Sequence, residues 1–415
     1  MSWPLHPVAE LCEFAVDCVN KTAPLVDHET PYKMIRTTNV KSGFIDIEDV
    51  RYVSKDTYEK WTRRSRPRFG DVVLTREAPV GEVGRCTFPD EEHVFLGQRL
   101  FHFRPDPEKL DWNFLAYVLQ SSDVQGRLHG RSFGATVPHV KVGDAESLLI
   151  PCPSIDEQRR VGGALASYDD LIATNQRRIA LLEQATRLLY REWFVQLRFP
   201  GHESVPVSNG APEGWVKGIF SDLVAINPRT TFDKEQECPF VDMAALSETS
   251  MVIGERSLRK IGGGAKFKNG DTLFARITPC IQNGKTGFVQ FLEGDDSAAS
   301  GSTEFIVFRS AKVNPWWVYC LSREDDFRQH AINSMAGSDG RQRVNPKCFD
   351  QYAVLQPPPE VLDQFEAAVK DSFAQVELLC KANQRLAGVR DLLLPKLMSG
   401  QLDVSRIPLP EEAVA

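Results

Sequence analysis

From Val161 onward, apolar residues recur in alternating steps of four and three: Val161, Leu165, Tyr168, Ile172, Ile179, Leu182, Leu189 and Trp193. Polar Asn175 and Thr186 occupy the missing beats. A seam sustained over several heptads predicts a long helix that packs lengthwise on another helix. Its start is marked by Pro151-Cys152-Pro153 and by Ser154-x-x-Glu157, a capping box. At ~1.5 Å per residue, a helix over 151–194 reaches roughly 60 Å. A rod in the middle of a chain is expected to act as scaffold rather than as a catalytic core.

The rod has a counterpart, because the chain repeats itself. Gly70-Asp71 returns as Gly270-Asp271, Arg76 as Arg276 and Pro79 as Pro279, each 200 residues later. Gly81-Glu82-Val83-Gly84 returns as Gly284-Lys285-Thr286-Gly287, and Tyr117-Val118-Leu119 as Tyr319-Cys320-Leu321. A second seam carries Phe365, Val369, Val376, Leu379, Leu386, Leu393 and Leu397, with Ser372, Asn383 and Arg390 in its gaps. The predicted plan is α+β: a globule over 1–150, a helix over 151–197, a linker over 198–214, a globule over 215–355, a helix over 356–400 and a tail over 401–415. Asn-Gln-Arg occurs mid-helix in both rods, at Asn175 and Asn383. Antiparallel packing would bring these two asparagines together, where a buried polar pair fixes register at some cost in stability.

Within the first globule, Phe44–Ile47, Asp71–Thr75 and Val94–Leu96 read as strands, and 112–128 as one helix with Phe114, Leu115, Val118 and Leu119 on its apolar stripe. No stretch approaches the ~20 apolar residues of a membrane span, and no basic-then-apolar leader opens the chain. The nine cysteines are scattered, with no Cys-x-x-Cys pair, so free thiols in a reducing cytoplasm are expected.

A net charge of −7 disfavours a protein that coats nucleic acid unspecifically. Locally the balance reverses. Residues 51–76 hold eight basic against three acidic side chains, and residues 256–285 hold seven against one. Two basic islands in an acidic chain predict two separate anion-facing patches.

Motifs for chemistry are missing. No lysine has Asp or Glu two positions before it, as a carboxylate-metal nuclease requires. Asn227-Pro228-Arg229 lacks the second proline and the aromatic residue of an adenine-methyltransferase loop that grips an extruded base. Gly284-Lys285-Thr286 has Pro279 where a phosphate loop needs its first glycine, and Asn283-Gly284 reads as a hairpin turn. The eight histidines show no metal-ligand spacing. A non-enzymatic chain without cofactor or metal is predicted.

Several motifs resemble those of type I restriction-modification specificity subunits. Ile150-Pro151-Cys152-Pro153 with Asp156-Glu157-Gln158 is similar to the lead-in of that family's first central helix, and Leu188–Phe194 to its end. Arg390–Gly400 resembles the family's C-terminal signature, and Gly340–Val344 a loop of its recognition domains. The second rod departs, opening through Pro359-Glu360 to Asp363-Gln364 without a full Glu-Gln pair. The resemblance implies two target-recognition domains that each read half of a split double-stranded DNA sequence, on an antiparallel coiled coil with a pseudo-twofold repeat. It further implies two methyltransferase subunits as partners, with S-adenosylmethionine bound there, and restriction subunits joined through them.

For DNA contact, the expected residues of the first globule are Arg36, Thr38, Asn39, Arg76, Arg131, His139 and Lys141. Those of the second are Lys266, Arg276, Arg341, Gln342, Arg343 and Asn345. Arginine can pair bidentately with guanine, and Asn or Gln with adenine. Partner docking is expected on the outer helix faces, where Arg177, Arg178, Arg187, Arg191, Lys381 and Arg385 project. Two other readings remain open: a coiled-coil adaptor whose globules bind proteins, distinguished by globules without basic patches, and an active modification enzyme, which the missing motifs disfavour.

Overall fold

The computed structural model describes residues 3–132, 138–231, 237–260, 262–294, 297–337, 342–405 and 407. The chain divides into two compact units. One comprises residues 1–172 and 385–415, the other residues 173–384. Both long helices, Ile155–Tyr190 and Pro359–Met398, are shared between the units.

Each globule is built on one four-stranded antiparallel sheet with the same strand order. In the first it runs Cys12–Asp17, Leu100–Pro105, Val72–Arg76, Val80–Arg85. In the second it runs Val224–Ile226, Phe305–Ser310, Thr272–Ala275, Thr286–Phe288. A second sheet in each, three-stranded in the first globule and four-stranded in the second, contains one parallel pair, Tyr32–Ile35 with His93–Leu96 and Glu237–Val241 with Ala299–Gly301. Each globule closes by pairing its opening strand with the strand that leads into a long helix: Leu5–Pro7 with Leu149–Pro151, and Val216–Ile219 with Ala353–Gln356.

The repeated Gly-Asp pair has a structural cause. Gly70 and Gly270 sit at φ 85° and 86°, a left-handed turn that glycine adopts without strain. The aspartate that follows closes the turn and accepts a backbone N–H, Arg68 to Asp71 and Lys268 to Asp271, both at 2.8 Å. It also receives a guanidinium fork, from Arg104 at 2.7–2.8 Å and from Arg309 at 2.6–2.7 Å.

The expected single helix over 112–128 is two helices, Trp112–Gln120 and Ser122–Gly130. Ser121 is extended and its hydroxyl donates to the Val118 carbonyl at 2.6 Å, so the chain turns and the second helix buries Val124 and Leu128. The first long helix starts one residue after Ser154, in a capping box: the Glu157 amide donates to the Ser154 hydroxyl at 3.4 Å and the Ser154 amide to the Glu157 carboxylate at 3.1 Å. Gln158 is fully buried and binds it to the globule, donating to the Lys109 and Pro153 carbonyls and accepting the Asp111 amide. The second long helix is tied from the other side, by Asn314 donating to the Leu362 carbonyl at 3.0 Å. That replacement accounts for the looser sequence there.

The helices pack antiparallel within each unit. In the first, Val161 and Leu165 share a core with Leu397 and Met398. In the second, Trp193 lies against Phe365 (5.8 Å between rings), while Asn175 meets Asn383 far along both helices from that contact. Val161, Leu165, Phe365, Val369 and Val376 are essentially fully buried, so the seam read from spacing is the packed face. No helix among the described residues is long and apolar enough to cross a membrane.

Candidate nucleic-acid interface

In both globules the strand that leads to the repeated arginine, Val72–Arg76 and Thr272–Ala275, is followed by a cis proline, Ala78-Pro79 and Thr278-Pro279. Two further segments converge on that arginine. The Arg76 amide donates to the Arg99 carbonyl at 2.9 Å, and its own carbonyl accepts from Val140 at 3.0 Å. In the second globule Arg276 donates to Glu304 at 3.0 Å and accepts from Val344 at 2.8 Å. Bridges between Glu77 and His139, and between Ile277 and Arg343, complete the match. The backbone scaffolds therefore correspond position by position, whereas the side chains they present differ.

In the first globule this corner borders a cleft of about 330 Å³ lined by Asn20, Arg76, Glu77, His139 and Lys141. Three expected DNA-contact residues meet there. Arg76 leans on the Val140 carbonyl at 3.3 Å, and Arg99 approaches Glu77 at 3.4 Å. In the second globule a larger cleft, about 550 Å³, is lined by Asn227, Arg229, Thr230, Lys266, Arg276 and Phe305. Arg229, Lys266 and Arg276 make that lining cationic, beside the apolar Phe305 and Val307. Beside it Arg343 lays its Nε and Nη2 on the Glu304 carboxylate at 2.8–3.0 Å, and Arg276 Nε stands 3.8 Å from the same group. The Glu304 hydrogen bond raises the Arg343 pKa above the ordinary guanidinium value, so that charge is permanent.

Other expected residues fall elsewhere. Thr38 is exposed, but Asn39 is buried, its side chain accepting the Arg36 amide and donating to the Asp49 carbonyl at 2.6 Å. It shapes its loop and is not placed to read a base. Arg131 anchors a neighbouring helix through the Asp144 carbonyl and Ser147 hydroxyl, both at 3.1 Å. The Gln342 carbonyl accepts the Thr278 amide, and Asn345 caps the 3-10 turn Pro346–Gln351. Arg341 lies outside the described residues, as does the stretch 133–137 of the first globule's loop. Among the residues expected to face partners, Arg177 and Arg178 are exposed, while Arg191 is drawn to Glu324 at 2.9 Å and so ties helix to globule.

The basic islands are partly engaged in contacts within the protein surface. Arg64 pairs with Asp17 at 2.7 Å, Arg66 donates to the Asp90 carbonyl, and Arg259 lies over the Phe240 ring. Arg99, Glu304 and Arg229 were not picked out by sequence reasoning. The signal was the repeat itself, since Arg99 and Glu304 are equivalent, but their offset is 205 residues rather than 200 and their charges are opposite. Among the described residues no group of three His, Cys, Asp or Glu side chains is placed to hold a metal ion.

The family model described as the type I restriction modification DNA specificity domain matches residues 10–184. The MjaIX specificity subunit of Methanocaldococcus jannaschii, a type I restriction enzyme component, is 23% identical over 374 residues, covering 86% of this chain and 83% of that one. The EcoKI specificity subunit of Escherichia coli K12 is 22% identical over 96% of this chain and 89% of its own length. The crystal structure of a type I restriction-modification S subunit from M. genitalium matches with TM-score 0.57 at 14% identity, over 96% of both chains, which establishes the shared fold.

Proposed function

Because the chain belongs to the family of type I restriction-modification specificity subunits, we propose that each globule reads one half of a two-part duplex DNA target. The paired helices fix the gap between the halves and dock two methyltransferase subunits, through which restriction subunits join. The observation that carries this reading is the matched corner at Arg76 and Arg276: one backbone scaffold, two different sets of exposed or half-buried polar side chains. Sequence reading needs phosphate contacts to position the protein and side chains at base edges to specify it. Arg76, His139 and Lys141 in the first globule, and Lys266, Arg276 and Arg343 in the second, are grouped well enough to divide those tasks. The chain itself performs no chemistry; the methyl donor and the adenine site belong to its partners.

Docking is supported by the first long helix within the second unit, where Arg177 and Arg178 are exposed and Leu181 and Leu188 stand exposed one heptad apart. The test is methylation mapping. The chain is expressed with its genomic neighbour methyltransferase in a host free of DNA methylation, and the modified bases are sequenced. A split motif with two defined halves and a fixed gap is expected, and Arg76→Ala or Arg276→Ala should each blur one half only. A soluble, methyltransferase-bound chain that directs no modification would instead favour the adaptor reading.

A further inference from the structure

We propose that Glu304 is a positioning residue for base reading, holding Arg343 so that its outer fork, with Arg276 beside it, selects a guanine in one half of the target. This rests on the DNA-reading role given above.

Arg343 is exposed, yet its orientation is fixed. Nε and Nη2 both donate to Glu304, at 2.9 and 3.0 Å from Nε and 2.8 Å from Nη2. This engagement consumes one edge of the planar guanidinium. The opposite edge, Nη1 with the second Nη2 hydrogen, remains as a coplanar two-donor fork. Guanine offers two acceptors, O6 and N7, in the matching geometry. An arginine already held in plane loses less side-chain freedom on contact than one waving in solvent. Glu304 is fixed in turn, its amide accepted by the Ser302 hydroxyl at 3.2 Å and its carbonyl receiving Arg276.

Charge adds a second effect. One carboxylate set between two guanidiniums leaves that trio at a net single positive charge. The corner then attracts any phosphate less strongly, and more of its affinity depends on a matching base.

The first globule inverts this arrangement. Arg99 stands where Glu304 stands, its carboxylate partner is Glu77, and His139 replaces Arg343. The two halves of the target are therefore read with different chemistry, and loss of Glu304 should touch one half alone.

The test maps methylation by the full chain with its methyltransferase for wild type, E304Q, E304D and E304A. E304Q keeps shape and one acceptor but loses the charge-assisted bidentate hold. It is expected to relax discrimination roughly tenfold at one or two adjacent positions of a single half, with the other half unchanged, and E304D should partly restore it. A motif unchanged in E304Q and E304A, or equal blurring of both halves, overturns the proposal while leaving the two-part reading intact. A wild-type map with no two-part motif overturns both.

Discussion

The Asn175 side-chain amide donates to the Asn383 side-chain oxygen at 2.8 Å, midway along two antiparallel helices. Asn175 is 5% exposed, so the bond lies within the apolar seam. A polar pair in such a place disfavours sliding by one heptad, because a slipped partner would leave each amide facing a hydrocarbon side chain. Asn175→Ala should cost about 1–3 kcal/mol through loss of this buried bond to the Asn383 side-chain oxygen. The double substitution with Asn383→Ala should cost less than the sum of the singles, giving a coupling of about 0.5–3 kcal/mol in a denaturant-unfolding cycle. Additive losses would mean the pair does not fix register.

The matched aspartates make a second prediction. Asp271 is fully buried and carries the Arg309 fork, while Asp71 carries Arg104 and the buried His102 ring at 2.7 Å. Asp271→Ala would leave a half-buried guanidinium and a turn amide unpartnered, costing about 3 kcal/mol, and Asp271→Asn, which keeps the turn acceptor, about half of that. Burial alone would raise the Asp71 carboxyl, but the Arg104 and His102 hydrogen bonds outweigh it and hold it below the ordinary 3.8. Its stabilisation is thus complete above pH 3.8 and is lost as pH falls through the lower folded value. Acid titration of the unfolding midpoint should show the loss in wild type and a flatter profile in Asp71→Asn.

These examples mark what could be read from sequence. The seam was legible because burial follows a period of three and four, and Asn175 fell on it by counting. The Gly-Asp repeat was visible, but not its purpose, since Arg104 and Arg309 lie over thirty residues away in sequence. The docking of each globule on its helix was hidden as well. Tyr117 donates to Asp169 at 2.5 Å and Tyr319 donates to Glu183, two carboxylates that sit among ordinary solvated helix charges in the sequence. Glu183 also accepts the Met251 amide at 2.8 Å and the Ser250 hydroxyl at 3.0 Å. Asn39 misled for the opposite reason: a polar residue in a loop looks available, and only the fold shows its amide turned inward.

Buried phenols and thiols set an alkaline limit. Burial pushes the hydroxyls of Tyr190 and Tyr319 well above the ordinary 10.0, Tyr352 to about 12, and the Cys12 thiol from 9.0 to about 12. Groups whose folded pKa is raised contribute stability that is full below their unfolded values and lost as pH rises beyond them. Under reducing conditions the unfolding midpoint should hold steady to about pH 8.5 and then fall with increasing slope above about pH 9–10. A midpoint that stays flat across that range would contradict the burial of these groups.

The division between positioning and reading side chains can be measured with salt. Lys266 lines the second cleft as a compact cation, the kind of group that neutralises one phosphate whatever the sequence. In the complex with methyltransferase, Lys266→Ala should weaken cognate and random duplexes alike and reduce the slope of log affinity against log salt by about 1. Arg343, buttressed by Glu304, should behave differently. Arg343→Ala should cost about 1–3 kcal/mol on the cognate duplex, little on a random one, and leave the slope nearly unchanged, because its charge is already offset by a carboxylate. Equal losses for both substitutions on both duplexes would place Arg343 on the phosphate backbone and remove it from base reading.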